Sequence, residues 1–221
     1  MEEATFASAH RLFGDRIVRP EEVGKALGAD PASLTSADPD LPFDTVPFAP
    51  DLLRQAAAEG MMLGLRLARV GGLPLTLLRL ASLFPGTSEP PTVDAWFASE
   101  PFAKQTCRAG WALFERQTFA ASRNLTYAQQ NEALSERSRR LGLALRRRTA
   151  VEIVYDVLLY AAARGERLLA DEWDWSSSVT TDGAFVTAGQ FDERGLRLLR
   201  YSEAVRFDRL GICATADPPL A

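Results

Sequence analysis

Three carboxylates around a predicted hairpin are the residues of this chain best placed for acid–base chemistry. Glu172 and Asp174 are two positions apart, so on a β-strand their side chains share one face. Asp182 follows at the predicted turn and comes near them across the hairpin. Paired carboxylates can exchange protons with a substrate or hold Mg²⁺ through water. The pattern therefore indicates a carboxylate-dependent, hydrolase-like enzyme as one hypothesis.

Two tryptophans in the same stretch allow different interpretations of its faces. Trp173 and Trp175 alternate with the acids, as in a strand with one buried and one solvated face. On the favoured interpretation the rings fill the core against the preceding helix, and the acids face solvent. The alternative is a ligand-binding platform, on which a sugar or base stacks on the two rings. We predict that both rings are buried, and that Gly183 and Gly195 at the two turns have positive φ.

Other chemistries lack the residues that they need. His10 is the single histidine, so neither a histidine-ligated metal site nor a histidine-dependent nucleophile is expected. The two cysteines, Cys107 and Cys213, belong to no C-x-x-C pair. Neither of the glycine-rich phosphate-binding patterns, G-x-x-x-x-G-K-[ST] and G-x-G-x-x-G, occurs. The sequence therefore predicts no metal and no cofactor.

A run of arginines is the strongest local concentration of positive charge. Its members are Arg137, Arg139, Arg140, Arg146, Arg147 and Arg148. Because the formal net charge is −4, this run is the feature that could contact nucleic-acid phosphates. Glu132 and Glu136 lie on the same predicted helix and can neutralise part of it. That neutralisation favours a protein-interaction surface containing Arg137, Arg140 and Arg147.

Capping and turn signals predict the elements that hold these residues. Two capping boxes, at positions 126 and 149, start helices predicted over 127–148 and 150–163. The second helix is apolar on most of its circumference. Turn signals divide the C-terminal part into strands predicted over 173–179, 184–191, 196–201 and 206–215. The predicted fold class is α+β: a mainly helical N-terminal two-thirds with short strands, followed by a C-terminal antiparallel β-meander packed on a central apolar helix.

Length and composition predict a single domain. The 221 residues are 47% hydrophobic and 24% charged, as is usual for a globular domain. Proline-rich breaks near 29–50 and 85–92 are interpreted as loops. The N-terminus is acidic where a secretion signal is basic, and arginines interrupt the apolar stretch 61–84. We therefore expect a cytoplasmic protein that does not bind membranes.

Three functions follow from these patterns. The leading hypothesis is a non-enzymatic interaction or accessory protein, which acts through a surface on another protein or on a second copy of itself. The first alternative is the carboxylate-dependent enzyme that uses Glu172, Asp174 and Asp182. The second is a nucleic-acid binder using the arginine-rich helix 137–148. Nucleic acid is the least expected partner, because a helix would spread these arginines over more than one side.

Overall fold

Helices occur along most of the chain. The computed structural model describes residues 3–29, 43–84 and 95–219. The α-helices of these ranges are α1 (Phe6–Phe13), α2 (Pro20–Ala26), α3 (Pro50–Ala58), α4 (Leu77–Leu83), α5 (Tyr127–Leu141) and α6 (Ala150–Arg164). Helix α6 is the most buried of them and contacts strands of both four-stranded sheets.

The strands form two ribbons and two larger sheets. They are β1 (Ala4–Thr5), β2 (Thr45–Val46), β3 (Met62–Arg66), β4 (Arg69–Val70), β5 (Leu73–Pro74), β6 (Gly110–Phe114), β7 (Arg146–Arg147), β8 (Trp173–Val179), β9 (Phe185–Asp192), β10 (Gly195–Tyr201), β11 (Leu210–Gly211) and β12 (Ala214–Ala216). The ribbons are β1-β2 and β4-β5. Sheet I has the order β3-β6-β12-β7, and sheet II has the order β10-β9-β8-β11.

The predicted division into a helical N-terminal part and a C-terminal meander is wrong, although the fold is α+β. Strands are distributed along the chain, and sheet I takes β3 from the N-terminal half and β6 from the middle of the chain. Its remaining strands, β12 and β7, come from far later in the sequence. Pairing between distant segments is set by tertiary packing, which local turn signals do not report.

The fourth strand predicted for the meander is also wrong. Strands β8, β9 and β10 are antiparallel neighbours, with Gly183 at φ 84° and Gly195 at φ 104° as predicted. The stretch predicted as one strand over 206–215 instead forms β11 and β12. Strand β11 pairs with β8 in parallel, whereas β12 pairs with β6 and β7 in sheet I. The short segment between β11 and β12 thus connects the two sheets.

Helix α5 begins where predicted but ends at Leu141 rather than at position 148. The Thr126 side chain accepts a hydrogen bond from the Gln129 backbone, which completes the predicted capping box. Gly142 then adopts a left-handed conformation with φ 54°, a common helix stop. The chain turns and continues into β7, so the six arginines do not lie on one helix.

The first half of β8 is buried on both faces, rather than on one face as predicted. Trp173 and Trp175 are buried as predicted, at 4% and 0% exposure. They do not pack in the main core beside α6 but in a separate cluster with Leu210, Tyr127, Phe185, Tyr201, Val205 and Phe207. Because this cluster covers the rings, they form no open stacking platform. Asp174, which was predicted to face solvent, is fully buried.

Buried charges explain why Asp174 is stable in the interior. Arg148 donates to Asp174 Oδ2 at 2.8 and 3.0 Å and to Asp156 Oδ2 of α6 at 2.9 Å. Arg66 of β3 donates to Asp156 Oδ1 at 2.9 Å and to Glu152 Oε1 at 3.2 Å. These side chains are almost completely buried. The ion pairs offset part of the cost of removing the charges from water, and they connect α6 to both sheets.

The loop predictions can be checked only in part. The break predicted near 85–92 lies outside the described residues, as does most of the break near 29–50. Within the described end of the first break, β2 pairs with β1.

Across the described ranges, none of the helices has both the length and the apolarity needed to cross a bilayer.

Candidate functional site

The structure does not bring Glu172, Asp174 and Asp182 together. Glu172 lies in the loop before β8 and pairs with Arg123. Asp174 is in the buried ion network with Arg148. Asp182 is exposed in the turn after β8, and the five strand residues that follow Asp174 span about 16 Å. The three carboxylates therefore belong to three different environments.

The predicted arginine surface is also divided. Arg140 has a side chain that is 57% exposed and pairs with Glu59. The Arg137 side chain is 15% exposed and pairs with Glu115. Arg147 is buried, at 5% exposure. Of the three, only Arg140 offers a largely exposed guanidinium to a partner.

A pocket at the end of β6 collects several ionisable side chains, and we term it the Glu115 pocket. Its volume is about 710 Å³. Segments 59–61, 115–120 and 166–172 line it, together with Arg123 and with Arg137 of α5. Glu172 is the one member of the predicted acidic set in this lining. Arg116 and Glu166 form an ion pair in the lining of the same pocket.

Glu115 is the buried carboxyl group of this pocket. It follows four buried residues of β6, and its Oε2 accepts a hydrogen bond of 2.8 Å from the Ala214 backbone N–H. Its Oε1 accepts from Nε of Arg137. Burial raises the pKa of Glu115 to about 7, because the loss of water outweighs the effects of Arg137 and of the Ala214 N–H. Glu115 can therefore exchange a proton near neutral pH.

Glu172 holds one wall of the pocket. Its Oε2 accepts hydrogen bonds from Thr118 N at 2.8 Å and from Thr118 Oγ1 at 2.7 Å. Its Oε1 pairs with Arg123. Because both oxygens bind the 118–123 segment, the position of this segment depends on Glu172.

One residue of the pocket lining, Leu169, has a strained backbone conformation. Among the described residues, the non-glycine positions with positive φ are Asn124, Leu169 and Gln190. Leu169 lines the pocket, Asn124 follows Arg123, and Gln190 N donates to the Glu172 carbonyl at 3.0 Å. Such conformations cost about 1–3 kcal/mol each and cluster at functional sites. The strained Leu169 and the buried Glu115 together make this pocket the best candidate site.

Close backbone packing fixes the Glu172 loop. Gly189 of β9 lies against it, and a Cβ at this position would be 2.0 Å from the Glu172 carbonyl oxygen. Real Cβ atoms do not approach an oxygen so closely, so the loop can take this position only because residue 189 is glycine.

Sequence reasoning missed Glu115. The available signal is a charged pair, Glu115 and Arg116, directly after the apolar run 111–114. A polar residue at the end of a buried strand is a candidate site residue, but the elevated pKa depends on burial by distant segments.

Comparisons with other proteins do not assign the site. No protein-family description, curated protein sequence or solved structure matches this chain. Within the described ranges, no group of three or more His, Cys, Asp or Glu side chains is arranged to hold a metal ion. The function must therefore be argued from the pocket itself.

The elevated pKa predicts a pH-dependent contribution of Glu115 to stability. The folded value is about 7, against 4.5 for the ordinary group, so the unfolded chain loses this proton first as pH rises. The contribution of Glu115 to the free energy of unfolding should fall by about 3 kcal/mol between pH 4.5 and pH 7. Glu115→Gln does not titrate, so this fall should disappear.

Urea unfolding of both proteins across this pH range measures the difference. The pH dependence of unfolding is informative even if glutamine lowers stability uniformly by leaving Arg137 with Glu59 as its carboxylate partner. Glu136→Gln is the matched control, because Glu136 is exposed on α5 outside the pocket. Parallel pH profiles for wild type and Glu115→Gln would refute the elevated pKa.

Proposed function

We propose that the protein is a carboxylate-dependent hydrolase whose proton-transfer group is Glu115. The observation that carries this proposal is a buried carboxyl group with a pKa of about 7 in a pocket of about 710 Å³. General bases work best when their pKa lies near the working pH. Buried titratable groups in a concave site are the usual first candidates for catalysis.

The proposed roles differ from those predicted for the acidic set. Glu115 takes a proton from water as the water oxygen attacks the substrate, and returns it to the departing oxygen. Arg137 and the Ala214 N–H each occupy one lone-pair position of Glu115, which leaves others for the proton. Glu172 is a positioning residue, because its oxygens hold Thr118 and Arg123. Asp174 and Asp182 take no part.

The charges around the pocket favour a small polar substrate without a large net charge. Arg116 pairs with Glu166, Arg123 with Glu172, and Arg137 with Glu115. Because these arginines are already neutralised, they provide little attraction for a strongly anionic substrate.

The proposal predicts hydrolysis that depends on Glu115. Wild-type protein should hydrolyse at least one of two uncharged substrates, p-nitrophenyl acetate and p-nitrophenyl β-glucoside. The rate should rise with pH through about 7 as Glu115 ionises. Glu115→Gln should lose about 10²–10⁴-fold in kcat, as expected for removal of a general base.

Release of p-nitrophenol, measured from pH 5 to pH 9, tests this prediction. Glu136→Gln serves again as the control and should retain the wild-type rate. The hydrolase proposal fails if Glu115→Gln, shown to be folded by circular dichroism, is as active as wild type. It also fails if wild type hydrolyses none of these substrates faster than Glu115→Gln does.

The interaction-protein hypothesis stays a prediction. Among the described residues, the large apolar side chains that are exposed are Leu73, Leu78, Val179 and Leu199. No specific observation selects a partner for them. We propose a reducing compartment such as the cytoplasm, and the buried, unpaired Cys107 and Cys213 support this proposal.

A further inference from the structure

Another face of α5 borders an open groove, which we term the Arg147 groove. It lies between α5 and β7 and has a volume of about 740 Å³. Its lining includes Asn131, Ser135, Arg139, Arg147 and Thr149. Among the described residues that line it there is no aspartate or glutamate. The groove therefore combines cationic and neutral polar groups.

Arg147 differs from the other buried arginines in its partners. Arg66 and Arg148 each pair with carboxylates. Arg147 instead donates to neutral oxygens: Asn131 Oδ1 at 2.9 Å, Gln130 Oε1 at 3.1 Å, Trp175 O at 3.0 Å and Tyr127 O at 3.0 Å. Its guanidinium also lies 3.8 Å from the centre of the Tyr127 ring. These contacts fix the cation without neutralising its charge.

The charge of Arg147 persists at neutral pH despite its burial. Desolvation lowers the pKa of Arg147 to about 10, which still leaves the group protonated. Asp174 attracts Arg147 electrostatically, but among the described residues no carboxylate forms a hydrogen bond or an ion pair with it. A buried cation without a directly paired anion is costly, and an anion bound from solvent would remove part of that cost.

Several hydrogen-bond donors of the groove have no acceptor within the described part of the protein. Four of the five N–H groups of Arg147 are used in the contacts above, so one on Nη2 remains. The side-chain amide nitrogen of Asn131 and the hydroxyl group of Thr149 donate no hydrogen bond to another described residue. Thr149 Oγ1 only accepts, from Glu152 N at 3.3 Å. These donors are free to bind an anion.

We propose that the Arg147 groove binds the phosphate group of a small phosphorylated molecule. A phosphate offers several strong acceptor oxygens to the donors of Arg147, Asn131 and Thr149, whereas a carboxylate offers two oxygens in one plane. Arg139 pairs with Glu136 on the surface and can reach the outer part of such a ligand. The proposal is independent of the hydrolase proposal, because the groove and the Glu115 pocket are separate cavities.

Titration of the protein with inorganic phosphate, followed by NMR, tests this site. The side-chain signals of Asn131 Nδ2 and Arg147 Nε should shift and saturate with phosphate, and should respond weakly to the same concentrations of acetate. Ser135→Glu places a carboxylate in the groove at an exposed position of α5. We expect it to weaken phosphate binding about tenfold by charge repulsion.

Gln129→Glu is the matched control. It adds the same charge to α5 on a different face, and glutamate is compatible with its position in the capping box. Phosphate should bind this variant as it binds wild type. The proposal is overturned by shifts that do not saturate, by equal responses to acetate and phosphate, or by equal affinities for Ser135→Glu and Gln129→Glu. Each measurement is made on protein that thermal unfolding shows to be folded.

Discussion

Replacing Arg148 with methionine is expected to lower the free energy of unfolding by about 3–5 kcal/mol. Methionine keeps much of the volume of the side chain but removes its charge. Asp156 would retain Arg66, whereas Asp174 would lose its ion-pair partner while fully buried. An uncompensated charge in the interior is far more costly than the loss of a surface ion pair. Urea unfolding followed by tryptophan fluorescence measures this loss.

Arg140→Met provides the matched comparison. Arg140 also pairs with a carboxylate, Glu59, but its side chain is 57% exposed. Its replacement should cost no more than about 1 kcal/mol. If the two variants were equally stable, the ion network would not be buried as the structure shows.

Replacing Gly189 with alanine should destabilise the protein by about 3 kcal/mol or more. The added Cβ would lie 2.0 Å from the Glu172 carbonyl oxygen and 2.8 Å from Cα of Trp173. Both atoms are backbone, so the loop before β8 must move. Because Glu172 positions Thr118 in the Glu115 pocket, the variant should also lose hydrolytic activity at temperatures where it remains folded.

Gly183→Ala separates this clash from backbone strain. Gly183 has φ 84°, but a Cβ there would meet nothing within 4 Å. Its replacement should therefore cost only the left-handed conformation, about 1–2 kcal/mol. Thermal unfolding of both variants gives the comparison, and a larger loss for Gly183→Ala would contradict the close approach at Gly189.

Local patterns predicted the elements whose causes are local. The strands β8, β9 and β10 follow from alternating side chains and from glycine turns at 183 and 195, which act within a few residues. The starts of α5 and α6 follow from capping boxes for the same reason. The sequence also contains the signal for the end of α5, because Gly142 is a typical helix stop.

The pairings of distant segments could not be read in this way. The separation of β11 from β12 depends on which strands already lie beside them, namely β8 and β6. The inward orientation of Asp174 depends on Arg148, and a strand that alternates acids with tryptophans does not show which face has a partner. Tertiary contacts of this kind override local preference.

The candidate site was predicted only in part. Glu172 belonged to the predicted acidic set and does line the pocket, but it acts there by holding Thr118. Glu115 depends for its pKa on Arg137 and on the Ala214 backbone, which lie far from it in the sequence. Asp174 and Asp182 are close to Glu172 in the sequence but do not line its pocket. Closeness in the sequence therefore does not show which acidic side chains share a site with Glu172.

The pairing of β6 with β12 has a consequence for biosynthesis. Strand β6 ends at Phe114, but its partner β12 begins about 100 residues later. At a translation rate of about 5–20 residues per second, this edge of β6 stays unpaired for roughly 5–20 s until β12 has been synthesised. An unpaired strand edge can pair with other chains. The nascent protein thus passes through a period in which a chaperone that covers this edge would protect it from aggregation.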